Sequence, residues 1–221
     1  MQKLKFASLV ALSLAMGGTC AFAQDKKEEM PSPAVEKYAR DFLAKWGNDP
    51  KLIEAIKAST AKTKKYSYDD VNIIDSQWRV AKSGVDAEKK AAGVLGELTS
   101  DPIDAHIKKG EAIIKEIRES ETSKFLQAQL EKAEPKGAVT EIFVMDGWGW
   151  NVGQTGGTSD FYQGDEGKWQ KTFASGDPNE VEVLPIVEED GIRYSHVSLP
   201  IKENGKNIGA VTIGVDVDKV K

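Results

Sequence analysis

The chain has 221 residues, enough for a sizeable core and, after loss of a leader, for one domain of ordinary size. It carries 30 Lys and Arg against 35 Asp and Glu, a formal net charge of −5, so its field attracts neither a nucleic-acid backbone nor an anionic lipid surface. A single cysteine excludes a disulfide framework within the chain and any multi-thiolate metal site.

Residues 1–23 read as a secretory signal: Lys3 and Lys5 charge its start, residues 9–16 are apolar, and Ala21-Phe22-Ala23 is the small-x-small site, placing cleavage after Ala23. A lipoprotein alternative resting on Cys20 lacks the expected leucine, because Gly17-Gly18-Thr19 precedes it. The apolar run falls short of the ~20 residues a membrane span needs, so no membrane insertion is expected and the product is a soluble periplasmic protein. Removing 23 residues from 221 leaves 198, and losing Lys3 and Lys5 leaves 28 basic against 35 acidic side chains, about −7. Residues 24–31 are charged without apolar periodicity and read as a flexible leader.

Helical patterning begins at residue 32. Ser32 is a cap candidate, Pro33 suits the first helical position, and Val35, Tyr38, Ala39, Phe42 and Trp46 share a face until Gly47 and Asn48 interrupt it. Asp49-Pro50 opens a second helix with Leu52, Ile53 and Ile56 apolar, fraying into the basic run 60–65. Residues 67–70, SYDD, have capping-box spacing with an acid in place of Glu or Gln, and open a third helix carrying Val71, Ile74 and the core candidate Trp78. A polar, alanine- and glycine-rich connection follows. Asp101-Pro102 then caps a longer helix whose Ile103, Ile107, Ile114 and Ile117 form one apolar stripe, suited to packing along a sheet or against a second copy in a homodimer.

Residues 135–137 divide the chain, and beyond them the hydrophobic period changes from 3.6 to 2. A strand over 140–145 turns at Asp146-Gly147 into a second over 148–154, which Gly156-Gly157 breaks. Asp165 is a cap candidate for a short helix holding Trp169, Thr172 and Phe173, and strands are expected over 181–187, 192–201 and 207–217. In the last, Val211, Ile213, Val215 and Val217 make a branched apolar face that should carry a helix. Ala210, Thr212, Gly214 and Asp216 make a small face that leaves room for a cavity, unless Gly209 and Gly214 mark a bend or bulge. The fold class is α+β: a five-stranded antiparallel PAS-like sheet with long N-terminal helices on one face. Residues 32–136 form the helical part, and 137–221 the sheet part, of one domain spanning 32–221.

Residues 146–173, DGWGWNVGQTGGTSDFYQGDEGKWQKTF, gather Trp148, Trp150, Trp169, Phe161 and Tyr162 with Asp146, Asp160, Asp165 and Glu166. Rings beside carboxylates suit a pocket for a small polar or cationic ligand, while a buried turn with satisfied polar groups would use the same residues. No serine sits in a Gly-x-Ser-x-Gly elbow, and the two histidines, His106 and His196, fall in different halves of the chain, so no enzyme is expected. Asp160, Asp165 and Glu166 lack EF-hand spacing and serve equally as helix caps, so neither a metal nor a cofactor is expected.

The 146–173 segment, followed by Leu199-Pro200-Ile201 and GAVTIGVDV at 209–217, resembles the extracytoplasmic Cache family, PAS-like sensor domains also called PDC domains. Upstream, PKLIEAIK at 50–57 and Ile74-Asp75 with Trp78 resemble that family's amino-terminal helices, so the likeness covers essentially the whole chain beyond the leader. It implies a pocket between the sheet and the segments after the second strand, with Trp150, Asp160, Tyr162, Trp169, Tyr194, His196 and Asp216 as ligand-binding candidates. The ligand classes implied are amino acids, amines and organic acids. Such domains project from membrane-anchored histidine kinases, chemoreceptors or cyclic-dinucleotide enzymes, whereas this sequence has no spanning segment beyond the leader, which implies a freestanding single-Cache protein. The expected function is capture of a small molecule and its communication to a membrane sensor kinase or chemoreceptor. The alternative is a structural or assembly role with an unoccupied pocket.

Overall fold

The computed structural model describes residues 28–220; the expected signal peptide, Cys20 and residues 24–27 of the leader lie outside the described residues. Within the leader, the Glu29 carbonyl accepts from the Ile186 N–H (2.7 Å), and its carboxylate pairs with Arg193 (2.8 Å).

Among the described residues, six helices precede the sheet. Pro33 starts α1 (Pro33–Ala44), which buries Val35, Ala39 and Phe42; Ser32 occupies the cap position but makes no side-chain cap bond. Asp49 caps α2 (Pro50–Thr63) by accepting from the N–H groups of Lys51 and Leu52. Ser67 and Asp70 complete a reciprocal capping box on α3 (Tyr68–Ser83), Asp supplying the carboxylate one methylene shorter than the usual Glu. The alanine- and glycine-rich stretch expected as a connection is a helix, α4 (Lys89–Leu98), because Ala91 and Leu95, four apart, bury against Val80 of α3. In α5 (Ile103–Glu119), capped by backbone at Pro102 rather than by Asp101, Gly110 meets α3 so closely that a Cβ would run into the Gln77 carbonyl. Ser120 then caps α6 (Glu121–Glu131), an element the isoleucine stripe does not announce.

The strands are β1 (Val139–Met145), β2 (Asn151–Gln154), β3 (Glu182–Val183), β4 (Val187–Glu189), β5 (Ile192–Glu203) and β6 (Lys206–Asp216), with the single-turn helix α7 (Gly167–Gln170) after β2. All pairings are antiparallel, in the order β2-β1-β6-β5-β3, with β4 also on β5. The fold is α+β as expected, with six strands among the described residues rather than five. The strand expected over 181–187 is interrupted at Pro185, which has no N–H to give to a ladder, and is resumed as β4.

Alternation along the central strands builds the core. Ile142 and Val144 of β1, Val197, Leu199 and Ile201 of β5, and Val211, Ile213 and Val215 of β6 face Val35, Phe42 and Trp46 from α1 and its C-terminal turn, Leu52 and Ile56 of α2, and Leu126 of α6. The opposite face does not enclose the expected cavity. Ala210 lies in a small cluster with Phe143 and Met145 beneath Trp169 and Phe173, Thr212 bonds Ser198 (2.9 Å), and a Cβ at Gly214 would strike the Thr140 hydroxyl. Small residues here admit neighbouring strands and side chains rather than a ligand.

The helical half is joined to the β1–β2 hairpin by Asp146, which has no exposed surface. Its Oδ1 accepts from the N–H groups of Trp148 (2.8 Å) and Trp150 (3.1 Å), and its Oδ2 from the hydroxyls of Ser59 (2.7 Å) and Thr63 (2.8 Å) on α2. Thr60 adds a bond from the Gly147 N–H (3.0 Å). Gly149, at φ 88°, lets the same turn approach the backbone of Gly164. Hydrogen bonds to a carboxylate contribute more than neutral ones, and removing this acceptor strands several buried donors. Asp146→Ala should therefore destabilise the fold by about 3 kcal/mol or more in urea denaturation, and a loss below about 0.5 kcal/mol, the range of ordinary surface changes, would contradict the linkage.

Candidate functional site

The seven sequence-predicted residues do not form one pocket. Trp150 is buried at the centre of an aromatic cluster, with Tyr66 (5.4 Å), Phe161 (5.1 Å) and Tyr162 (5.1 Å) around it, and Phe161 stacks on Trp78 at 5.0 Å. Trp148, from the same turn, points outward and is half exposed. Asp160 is committed to its own loop: Oδ1 accepts from Ser159 (2.5 Å) and Gln163 (3.0 Å), and Oδ2 lies 3.6 Å from Arg79. Asp165 is exposed and does not cap α7, whose cap position is Glu166, and the Glu166 carboxylate pairs with Lys168 (2.6 Å). Among the described residues no group of three or more acidic, histidine or cysteine side chains is placed to hold a metal ion. The acids of this segment are engaged internally or face solvent, which removes the feature that had favoured a cationic ligand.

Trp169 also serves the fold. Its indole N–H donates to the Asp146 carbonyl (3.0 Å), and its ring packs with Phe173 over Phe143 and Met145. Asp216 is held at the end of β6 by the Asp218 N–H (3.0 Å) and by Lys219 (3.3 Å). Tyr194 donates to Glu189 (3.0 Å); burial, with that hydrogen bond and the Glu189 charge, pushes its hydroxyl up to about 12, so it remains a neutral donor. Its ring stands 5.3 Å from that of His196.

His196 is where ionisable groups converge. Its Nε2 lies 2.5 Å from Glu141 Oε1, and its ring meets Phe143 edge-on at 6.4 Å. Lys168 sits over the other part of this region, its ammonium 5.7 Å from the Phe143 centroid. Lys82, at the end of α3, donates to the carbonyls of Gly157 and Thr158, which brings the glycine turn over the rim. Burial acts against the charged form of Glu141, but the His196 hydrogen bond and the charges of His196, Lys168 and Lys82 outweigh it, so its pKa is lowered. Burial lowers that of Lys82. Glu141, His196 and Lys168 are each largely covered, while Lys82 is exposed, so a carboxylate, an imidazole and one ammonium are drawn out of bulk water on the face opposite the helical core.

Three of these groups were not anticipated. Glu141 is visible in the sequence as the one charge in an otherwise apolar or neutral strand, Lys168 stands beside a predicted tryptophan, and Lys82 carries no local signal at all.

No known protein-family profile matches the chain, and no curated protein matches it. Among solved structures it is similar to the sensor domain of the Vibrio cholerae histidine kinase DctB, at 10% identity and TM-score 0.30, covering 83% of this chain and 58% of that one. It is also similar to the sensory domain of the Campylobacter jejuni chemoreceptor Tlp3, at 14% identity and TM-score 0.32, covering 76% and 65%. A Tlp3 domain with isoleucine bound gives 14% identity and TM-score 0.31 over 79% and 69%. The chain thus spans less than two thirds of the DctB domain and of the first of the Tlp3 domains. At these TM-scores the likenesses carry no argument about family, ligand or partner.

The loop that frames both the aromatic cluster and the charged rim is held by Asp75 of α3, whose Oδ1 accepts from the N–H groups of Phe161 (2.8 Å) and Tyr162 (2.9 Å). Burial pushes this carboxyl up to about 6; the Tyr162 bond opposes that shift, the Asp160 charge adds to it, and the Phe161 bond and Arg79 oppose it. Because the folded pKa exceeds the unfolded value of 3.8, the stability linked to this group is fully present below about pH 4 and lost as pH rises through 6. Asp75→Asn keeps an acceptor oxygen for both N–H groups and cannot ionise. It should match the wild type near pH 4 and exceed it by up to about 3 kcal/mol above pH 7, read as urea midpoints across pH. A constant difference would contradict the assignment.

Proposed function

We propose that the chain is an exported small-molecule-binding module of the Cache type, which holds a carboxylate-bearing ligand at the Glu141–His196–Lys168–Lys82 rim and passes the liganded state to a membrane sensor kinase or chemoreceptor. The observation that carries this reading is the half-buried ionisable cluster on the sheet face away from the helical core. Desolvated charges that add nothing to a hydrophobic core are found preferentially at functional sites. The leader pattern supports export, and the sequence resemblance supports the sensor role.

The free valences define the ligand. Lys168 uses one of its three hydrogens on Glu166, and Lys82 two on backbone carbonyls, so each retains at least one for a carboxylate. Glu141 engages His196 through Oε1, while Oε2 lies under Gly156 and is open to an ammonium group. An amino acid satisfies both ends, while an organic acid or a simple amine satisfies one, because Lys168 and Lys82 are balanced by Glu141 and by the Glu166 carboxylate on Lys168. The half-buried Tyr194 ring, beside His196, supplies the apolar wall. Binding would favour one packing of the glycine turn against α3, and hence of the helical half, which is the part of the domain able to form a homodimer or meet a partner.

A thermal-shift screen of amino acids, organic acids and amines tests the proposal. Saturation at a hundred times Kd should stabilise the protein by about 2.7 kcal/mol, with amino acids, which meet both ends, binding more tightly than simple acids or amines. Lys168→Gln and His196→Gln should each abolish the shift while leaving the fold intact. A shift that survives both substitutions contradicts the site, and no shift with any class favours a structural or assembly role instead.

A further inference from the structure

Besides an apolar cavity of about 360 Å³ beside Trp150 and Phe161, a polar cleft of about 340 Å³ opens where β2 ends, between the last turn of α5 and α6. β2 is the outer strand of the sheet, so no further strand covers it. α6 lies along it instead: the Gln154 N–H donates to the Ser123 hydroxyl (2.9 Å), and a Cβ at Gly153 would strike Thr122. The walls of the cleft include Arg118 of α5, Ser123, Lys124, Gln127 and Glu131 of α6, and Gln154. None of these belongs to the Glu141–His196–Lys168–Lys82 rim. The volume lies within the range of small-molecule pockets.

Hydrogen-bond capacity in this cleft is unevenly used. Gln154 is only 5% exposed, and its Oε1 accepts from the N–H (3.4 Å) and hydroxyl (3.2 Å) of Thr158. An N–H can only donate, so the Thr158 N–H fixes which end of the amide is the carbonyl. Nε2 is the other end, and its hydrogens reach no acceptor among the described residues. Nor is it one of the sealed unpartnered atoms, such as Gln163 Oε1; it meets open space at the cleft that Gln154 lines. A nearly buried donor left without an acceptor is unfavourable and is relieved by an occupant that brings one. Arg118 adds charge. It is exposed, with a fork of five donors, while the acids of α6 are already engaged, Glu121 by Lys124 (2.7 Å) and Glu131 by the Gln127 amide (3.3 Å). With two basic side chains and one acidic in its walls, the cleft favours an anion.

We infer that this cleft is a second binding site, for the carboxylate group of a small molecule, which the Arg118 guanidinium and the Gln154 amide hydrogens hold between them. Planar N–H donors match the two oxygens of a carboxylate, and hydrogen bonds to an ionised acceptor are roughly twice as strong as neutral ones. A primary amide of the same shape is rejected, because its own N–H groups would face the donors of Arg118 and Gln154 and it carries no charge. The site does not depend on the rim: the two share no residue, and here a guanidinium and an amide do what ammonium groups do there.

Acetate is the probe, with acetamide as its uncharged counterpart of the same shape. In NMR titrations of the isotopically labelled mature chain, at fixed pH and ionic strength, acetate should shift the Gln154 side-chain amide and Arg118 Nε–H resonances saturably, while acetamide leaves them in place. The Lys168→Gln protein, in which the rim is disabled, should give the same titration, so failure of the rim and failure of this cleft are told apart. Arg118→Gln, a change at an exposed position, should weaken the acetate response of Gln154 by at least about tenfold in Kd, the contribution of a charged hydrogen bond. The comparison of the two probes on the unaltered chain needs no variant to fold. Unmoved resonances, an equal response to acetamide, an unchanged Kd in folded Arg118→Gln protein, or loss of the response in Lys168→Gln would each overturn the inference.

Discussion

The arrangement depends on a carboxylate with no exposed surface. Asp146 ends β1, yet its four acceptor contacts reach forward to its own turn and across to α2, so one side chain fixes both the hairpin and the position of the helical half against it. Asp75 does the corresponding work for the return segment, tying the backbone at Phe161 and Tyr162 to α3. Between these two anchors the chain from 147 to 163 has little freedom, and it is this stretch that supplies Trp150, Phe161, Asn151 and the glycine turn. The rings are rigid because carboxylates hold the backbone that carries them, not because they pack in the main core.

Charge is distributed unevenly about that frame. The acids Asp146, Asp75 and Asp160 are absorbed by backbone amides, hydroxyls, Gln163 and Arg79, while Glu141 is surrounded by His196, Lys168 and Lys82. An acidic chain thus presents a rim where Lys168 and Lys82 stand beside Glu141 and Glu166 on one sheet face, and a neutral aromatic cavity at the sheet edge.

Much of the fold was legible. Helix starts at Pro33, Asp49 and Ser67, the Asp146-Gly147 turn and the two faces of β6 follow from local chemistry that tertiary contacts do not override. The exceptions have identifiable causes. α4 hides in a sequence rich in alanine and glycine because only two apolar positions are needed to dock a short helix on α3. The small face of β6 predicts space, but whether space becomes a cavity or a close approach depends on Thr140 and Phe143 of a neighbouring strand, which no local pattern reports. The site was less legible than the fold. His196 lies at the proposed rim and Trp150 lines the aromatic cavity, while Asp160, Trp169 and Asp216 have structural partners. Residue type marks where hydrogen-bond capacity lies, and only the three-dimensional partners decide whether it is already used.

On the function proposed, the sheet-face rim holds a small carboxylate-bearing molecule. The most direct measurement is an unbiased mass-spectrometric inventory of small molecules released from the natively purified protein, compared with that from His196→Gln protein prepared identically. A carboxylate-bearing compound should be released in near-stoichiometric amount from the wild type and be missing from the variant. Identical inventories from the two proteins, or a wild type that releases no such compound, would contradict it.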